Sequence, residues 1–503
     1  MKSTVLIVTI FIFFSQLSLA QPGFNIVHDL GLAKNHLKEM LVRNDTIIGY
    51  GLAQVQDSTG WRQGLLLVKF DSSGNFLQHK LLLDSLGDQF GIAEIWGEII
   101  STSDGGFAMT AATFYRKSGF LIKLSNSFEV EFIKEYPDTV NLSNYYYKIL
   151  ETSDGFLLYG NIQRPNYKNN PFARRVDKTG ETIWFKYFGN YNVTSGFNGG
   201  AIYHDSLYIL VGGQEVASGS YRSFIEIING EGEVVKSWTS APWPDIGLLR
   251  NVIVLPNGEI LVDGDFLAET NPFGTNLYNT ALSRMDTNFQ VLSTHYYGEP
   301  LPLTGGIRFW DFQPTPDGYF AGAGKGWLPD GSGNNAGWLI KFNEHGDSLW
   351  TQYVTAPFED PIFDWHYLGG VGVLSSGNIV AGGEAVNGQQ RYIWLVKVTP
   401  DGCLDTLWCN PVSVLVEEAK RETGLRVFPN PVSQVLHIEA ANAFGEGMLR
   451  LLDFQGRTVL AQRLPSGSHQ HSLDLSGIFP GVYFLQMLPY MGMPAQVKVV
   501  VTR

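Results

Sequence analysis

Apolar and polar residues alternate with a period of two over short runs of this chain, and Gly, Asp, Asn and Ser cluster between the runs. That is the pattern of strands with one face against a core, broken by tight turns. The segment from Glu151 to Gly189 shows the unit. Its alternation predicts four strands, Lys148 to Thr152, Phe156 to Ile162, Phe172 to Val176 and Ile183 to Phe188. A Ser153-Asp154-Gly155 turn joins the first two, a long polar loop the next, and an Asp177-Lys178-Thr179-Gly180 turn the last. Such a four-stranded antiparallel meander cannot bury both of its faces alone.

The first turn of the unit recurs seven times, at Asn44-Asp45, Ser103 to Gly106, Ser153 to Gly155, His204 to Ser206, Pro256 to Gly258, Pro316 to Gly318 and Ser375 to Gly377. A period of about 50 to 60 residues marks a propeller-type repeat. Third strands are legible at Leu65 to Phe70, Phe120 to Leu124, Trp338 to Phe342 and Ile393 to Val398. Sheets packed face to face around an axis bury such units on both sides. The expected fold is therefore all-β: a seven-bladed β-propeller over residues 22–410, a polar linker over 411–424, and a small immunoglobulin-like β-sandwich over 425–503. The sandwich follows from short alternating strands with Gly and Pro turns in the last 79 residues.

In such meanders the first-to-second and third-to-fourth turns share one end of the ring, and these are short. The second-to-third connections and those between units share the other, and are expected to be long and irregular: Gln54 to Gly64, Gln163 to Pro171, Ala268 to Asn279 and Lys325 to Gly337, then Asp84 to Trp96, Ala241 to Gly247, Gly298 to Trp310 and Thr355 to His366. Irregular loops on a rigid scaffold are where binding residues gather. The candidate ligand-binding residues are accordingly Trp61, Tyr167, Trp243, Phe273 and Trp327, since flat rings offer large contact area at small entropic cost. Trp96, Trp310 and Trp365 are expected to begin inner strands near the channel mouth.

Composition narrows the class. Only 17% of residues are charged, the formal net charge is −13, and no basic run exists, which excludes a nucleic-acid partner. The N-terminal run Val5 to Leu19, after Lys2 and with Ser18 and Ala20 before the expected cut at Gln21, reads as a signal peptide over residues 1–20. No later stretch reaches eighteen unbroken apolar residues, so no stable membrane span is expected after cleavage. The two cysteines, Cys403 and Cys409, are either a small disulfide loop, as an exported chain permits, or two packed thiols.

The last segment carries a specific pattern: Phe428-Pro429-Asn430-Pro431, Leu452 to Arg457 around Gly456, Leu475-Ser476, Pro480-Gly481-Val482-Tyr483-Phe484 and Lys498 to Val501. It resembles the type A C-terminal sorting domain of the type IX secretion system of Bacteroidota. The resemblance implies passage through the periplasm, handling of residues 425–503 by the secretion machinery, and a secreted or surface destination. The repeats resemble the secreted propellers with DGGF and LIKLDxxGxxxW motifs found in the same bacteria. Arg175 to Trp184 is also similar to the tryptophan-docking repeat of quinoprotein dehydrogenases, which implies packing, with Trp184, Trp238, Trp350 and Trp408 between blades, and no quinone. The sialidase Asp-box has a different spacing.

No nucleophile elbow, HExxH or phosphate-binding glycine loop is present. No metal site or cofactor is expected; Asp330 to Asn335 has alternating oxygen ligands but lacks the closing bidentate Glu of a calcium loop. Eight acids fall on the long-loop end, namely Asp84, Asp88, Glu94, Asp245, Glu299, Glu359, Asp360 and Asp364. The sequence thus leads to a non-catalytic glycan- or protein-binding module. The alternatives are a glycoside hydrolase or lyase using paired carboxylates, and a structural surface-layer or matrix protein.

Overall fold

The computed structural model describes residues 23–404 and 425–502, apart from positions 59, 92–96, 139, 205, 218–219, 241–245, 271–275, 299–305, 329–333, 359–365, 441–446, 453–457, 465–466, 468 and 490–494. Every regular element among them is a strand. The chain divides into two compact units, Met1–Pro411 and Val412–Arg503.

Among the described residues of the first unit, seven antiparallel sheets follow one another. The third is typical, with strands Ser143–Thr152, Gly155–Gln163, Asn169–Asp177 and Thr182–Tyr187 in spatial order. Strands run further than the apolar alternation suggests. In the first sheet, Thr46–Asp57 pairs with Gly60–Phe70 out to Asp57 opposite Gly60, so Gln54 to Gly64 is a hairpin and not an irregular loop. The ladder continues where apolar residues stop because backbone pairing needs no core, and Gln54 and Gln63 bond across it at 3.3 Å. In the sixth sheet the same extension carries the strands to Trp327 and back from Asn335.

Among the described residues, each pair of neighbouring sheets shares a hydrophobic core. Tyr50, Leu65 and Leu67 of the first pack on Phe107, Met109 and Phe120 of the second, and so on round to the sixth and seventh. The seventh returns to the first through Leu374, Val380 and Leu395 against Leu37, Ile47 and Leu66. First strands contact first strands all the way round, so they line the axis and the sheets form a β-propeller. The outer strand of the seventh sheet is the N-terminal Phe24–His28, paired from Phe24 opposite Lys397 to His28 opposite Ile393. The Trp394 indole N–H donates to Asn25 Oδ1 at 2.7 Å. Trp408, expected between blades, lies outside the described residues.

The third-to-fourth turns explain the Asp-x-x-Gly repeat. Asp177 Oδ1 accepts the N–H groups of Thr179 and Glu181, and the Gly180 N–H closes on Asp177 O. These turns receive the outer strand of the preceding sheet. The Trp184 indole N–H donates to Gly230 O at 2.8 Å, and its ring lies 2.8 Å from where a Cβ on Gly232 would stand. Trp350 repeats this on Pro400 O and Gly402 at 3.0 and 2.6 Å. Only glycine tolerates both the left-handed φ and the ring there. Trp238 packs in the core between the fourth and fifth sheets. At two seams the arrangement is exchanged: the left-handed turn position holds Phe128 (φ 65°) or Phe289 (φ 63°). The outer-strand residue facing each turn is then Gln78, donating to Ser127 O, or Lys236, donating to Thr287 O.

The second unit has a three-stranded sheet, with Val435–Ala440 between Leu425–Phe428 and Gln470–Asp474, and a four-stranded one of Thr458–Leu464, Gly447–Leu452, Gly481–Pro489 and Ala495–Val501. Leu436, Ile438, Leu451, Leu473, Leu485 and Val499 fill one core between them.

Candidate ligand-binding face

Three of the five residues singled out for binding fall on described positions. Trp61 stands on the first sheet's hairpin opposite Gln56, 54% exposed. Tyr167, 76% exposed, occupies a turn closed by its N–H on Arg164 O at 2.9 Å. Trp327 ends an inner strand of the sixth sheet, half-buried. Trp243 and Phe273 lie outside the described residues, as do Trp96, Trp365 and the six acids from Glu94 to Asp364. Trp61, Tyr167 and Trp327 stand on the first, third and sixth sheets, so no two of these three share a sheet or lie on neighbouring ones.

At the same end of the ring as Trp61 and Tyr167 stand exposed residues that sequence reasoning missed. Leu86, Phe114, Tyr115, Val140, Leu142 and Tyr191 are all exposed, Phe114 at 64% and Tyr115 at 70%. They sit on connections of the same end of the ring, over the first three sheets. Bonds to backbone oxygens hold those connections together: Arg62 Nη2 donates to Asp84 O at 2.5 Å, and the Asn144 N–H to Lys117 O at 3.1 Å.

The Phe114–Tyr115 hairpin is clamped. Arg116 grips Asp84 through two bonds of 3.0 and 2.8 Å and Glu135 through a third of 3.0 Å. Asp88 accepts the backbone N–H groups of Tyr115 and Arg116 at 3.1 and 2.9 Å. The bonds from Arg116 hold the Asp84 carboxyl below the usual carboxylate range. Asp84 and Asp88, read from sequence as acids of a working face, are thus hairpin supports. A charge-assisted bidentate pair is the strong form of such a contact, and it fixes the two rings edge to face at 5.3 Å. Over the third sheet, Arg164 lies 3.5 Å from the Tyr187 ring centroid and 5.3 Å from that of Tyr191. Asn166 donates to Tyr191 O at 3.2 Å, and Asn141 to the Tyr187 hydroxyl at 3.0 Å. Exposed rings among amides and a guanidinium can stack on a flat face and bond to hydroxyls.

The axis of the ring is charged. Lys148 Nζ lies 3.2 Å from Glu98 and 3.7 Å from Glu39, and Asp311 accepts the Val371 N–H at 3.0 Å. Burial drives the Glu39 and Asp311 carboxyls upward while Lys148 pulls them back. Nearer the long-loop end, Arg250 and Arg308 converge on Asp265 at 2.6 and 3.5 Å. Lys38, Tyr367 and Arg391 converge on Glu384 at 3.4, 2.8 and 3.0 Å. Burial, then the neighbouring Arg308 and Arg250, pushes the Lys325 ammonium down to about 8. Trp310, expected near the channel mouth, lies on an inner strand with the Arg250 guanidinium 5.4 Å over its ring. Cys403 is held in a disulfide; the other cysteine of the chain, Cys409, lies outside the described residues.

In the second unit, Asn430 clamps the last strand: its amide donates to Lys498 O at 2.7 Å and its Oδ1 accepts the Val500 N–H at 2.8 Å. The Phe428 ring lies 5.6 Å from that of His437, and Pro429 and Pro431 follow cis peptide bonds. Tyr483 is buried with its hydroxyl donating to Phe479 O at 2.8 Å, over Gly481. Gly456 lies outside the described residues.

Residues 426–501 match the family described as the secretion system C-terminal sorting domain. That tail places the chain among the cargo of type IX secretion, delivered to the cell surface or the extracellular space. No curated protein matches the chain. Among solved structures it is similar to an S511A mutant of puromycin hydrolase, with 11% identity, a TM-score of 0.47 and coverage of 82% of this chain and 61% of that one. The chain therefore spans less than two thirds of that hydrolase. It is also similar to the β-propeller domain of the Trilobed protease from Pyrococcus furiosus, with 10% identity, a TM-score of 0.42 and coverage of 78% and 100%. The polysaccharide lyase Uly1 follows, with 9% identity, a TM-score of 0.42 and coverage of 73% and 90%. Among the described residues, no helix is long and apolar enough to cross a membrane.

Proposed function

We propose that this chain is a secreted or surface-held glycan-binding module of a Bacteroidota species, without catalysis of its own, built as a seven-bladed β-propeller with an immunoglobulin-like sorting sandwich behind it. The ligand lies along the long-loop end of the first three blades, on Trp61, Phe114, Tyr115, Tyr167 and Tyr191. The observation that carries this reading is the clamped Phe114–Tyr115 hairpin: two large rings held in solvent by Arg116, Asp84, Asp88 and Glu135. Exposed apolar groups ordinarily cost solubility, so a cluster held rigid marks a contact surface, and rigid rings lose little entropy on stacking. Seven sheets and their shared cores support the blade count, and the two sheets around one core support the sandwich.

The test is retention of the full-length secreted protein on insoluble polysaccharides, with product analysis of every hit. Phe114→Ala with Tyr115→Ala, and separately Arg116→Ala, are expected to lower retention at least tenfold, while Trp327→Ala leaves it unchanged. Released oligosaccharides overturn the reading in favour of a hydrolase or lyase. Retention by no polysaccharide overturns it in favour of a protein partner or a structural role.

A further inference from the structure

The seam between the third and fourth sheets holds a cavity of about 70 Å³ that the ligand-binding reading does not use. Register makes it polar. Glu226 pairs with Ser237 and Phe224 with Thr239 on one side, and Gln214 with Arg222 on the other. Side chains two residues apart share a face, so Gln214, Phe224, Glu226, Ser237 and Thr239 all point to the third sheet. The rest of the lining is Gly189, on the chain leaving the third sheet, and Ser195, which opens the fourth sheet's first strand and pairs with Gln214. Gly189 has a φ of 70°, and a Cβ there would stand 3.0 Å from Ser195 Oγ, so glycine keeps the space open.

Two polar atoms in this cavity have no hydrogen-bond partner although buried, Glu226 Oε2 and Ser195 Oγ. Burial alone raises the Glu226 carboxyl to about 7. Charged groups on the surrounding strands have partners other than Glu226: Arg222 bonds the lining residue Gln214 at Oε1 at 3.1 and 2.9 Å, Arg175 bonds Asp154 and Gly230 O, and Lys186 bonds Glu233. A buried carboxylate without a counter-charge is costly, and here it adjoins several neutral oxygen acceptors.

We infer that this cavity receives the protonated head of a small primary amine, with Glu226 as counter-charge and the Ser195 hydroxyl as a second acceptor. An alkylammonium has three N–H donors and no acceptor, which complements a carboxylate set among hydroxyls. A divalent cation is a poorer match, since calcium gathers six to eight oxygens, commonly from several carboxylates, and this cavity supplies one carboxylate. The volume suits a head group with one carbon, since a water occupies about 30 Å³ in the liquid. The lining shares no residue with the proposed ligand contacts, although Tyr191 lies between Gly189 and Ser195 on one connection, and the assignment does not depend on glycan binding by the arc.

The probe is methylammonium chloride added to the full chain at pH 8, followed by thermal unfolding, against equal sodium chloride and tetramethylammonium chloride. The expected result is a saturable rise in melting temperature with methylammonium alone, weakened at least tenfold in apparent affinity by Glu226→Gln and several-fold by Ser195→Ala. In the wild-type chain the rise should also vanish at pH 5, where protons occupy Glu226, a readout that needs no variant to fold. The Phe114→Ala and Tyr115→Ala double variant should keep the effect. Equal shifts from the three salts, no saturable shift, or an undiminished response in Glu226→Gln would overturn the assignment and leave the cavity a hydrated gap.

Discussion

Replacing Phe128 by glycine tests how the seams are built. Phe128 is fully buried, stands in the left-handed position of its turn, packs against Phe107 at 5.6 Å, and has the Lys69 ammonium 4.5 Å over its ring. Glycine relieves the left-handed strain, worth about 1 to 2 kcal/mol. It also deletes a buried ring, and Phe→Ala in a core costs about 3 to 5 kcal/mol. The loss wins, by about 1 to 4 kcal/mol. A second change should recover it: Gln78 holds the outer-strand place that Trp184 holds two seams on, since Lys69 faces Gln78 as Arg175 faces Trp184. Gln78→Trp in the Phe128→Gly background supplies the missing ring from the other side. Urea unfolding of the four proteins, followed by circular dichroism, gives the double-mutant cycle. A coupling energy of at least 1 kcal/mol in the favourable direction is expected. Additive effects, or a Phe128→Gly chain as stable as the parent, would refute the idea that ring and glycine are exchangeable halves of one joint.

Two further predictions concern charge and the tail. Burial raises the fully buried Asp263 carboxyl to about 7 from its usual 3.8, so between those values the folded chain holds a proton that the unfolded chain has lost. Stability attributable to this group therefore falls as pH rises from about 4 to about 7 and is level above. At about 1.4 kcal/mol per unit, Asp263→Asn should gain about 4 kcal/mol on the parent between pH 4 and pH 8, read from unfolding midpoints; parallel pH curves would contradict it. Asn430→Ala removes two bonds to the last strand, a loss of about 2 kcal/mol. Less protein should reach the surface or the medium, measured by immunoblot of cell fractions, and unchanged delivery would speak against the clamp.

The repeat was legible because its punctuation has a local cause. Asp71, Asp177 and Asn343 each cap their own turn with side-chain oxygens, and that chemistry needs no tertiary context. The same turn at Ser125 to Phe128 and Asp286 to Phe289 passes unnoticed, since a left-handed phenylalanine is no turn signal and is stabilised only by the neighbouring sheet. Strand ends were misjudged for a related reason: Gln54 to Gly64 is polar on both faces, yet its backbone pairs to the tip. The aromatic arc was half visible. Trp61 and Tyr167 fall in stretches that read as loops, whereas Phe114 and Tyr115 follow an apolar strand and resemble core residues. Only the clamp from Asp84, Asp88 and Glu135 turns them outward, and two of its members look in sequence like acids available for catalysis.

The pairing of Phe24–His28 with Gln390–Val398 means that the ring is closed by a sheet drawn from both ends of the first unit. Its last sheet needs a strand from the other end of the domain, and closing a loop of this length costs entropy that only the finished contact returns. A partly emerged chain can form the middle sheets from local pairings, but it holds an open arc whose two ends expose apolar faces and an unpaired strand edge. Assembly is thus ordered in time: the strand made first must wait, unpaired, for the strands made last. Once joined, the two ends lock each other, and fraying from either terminus must break the same clasp.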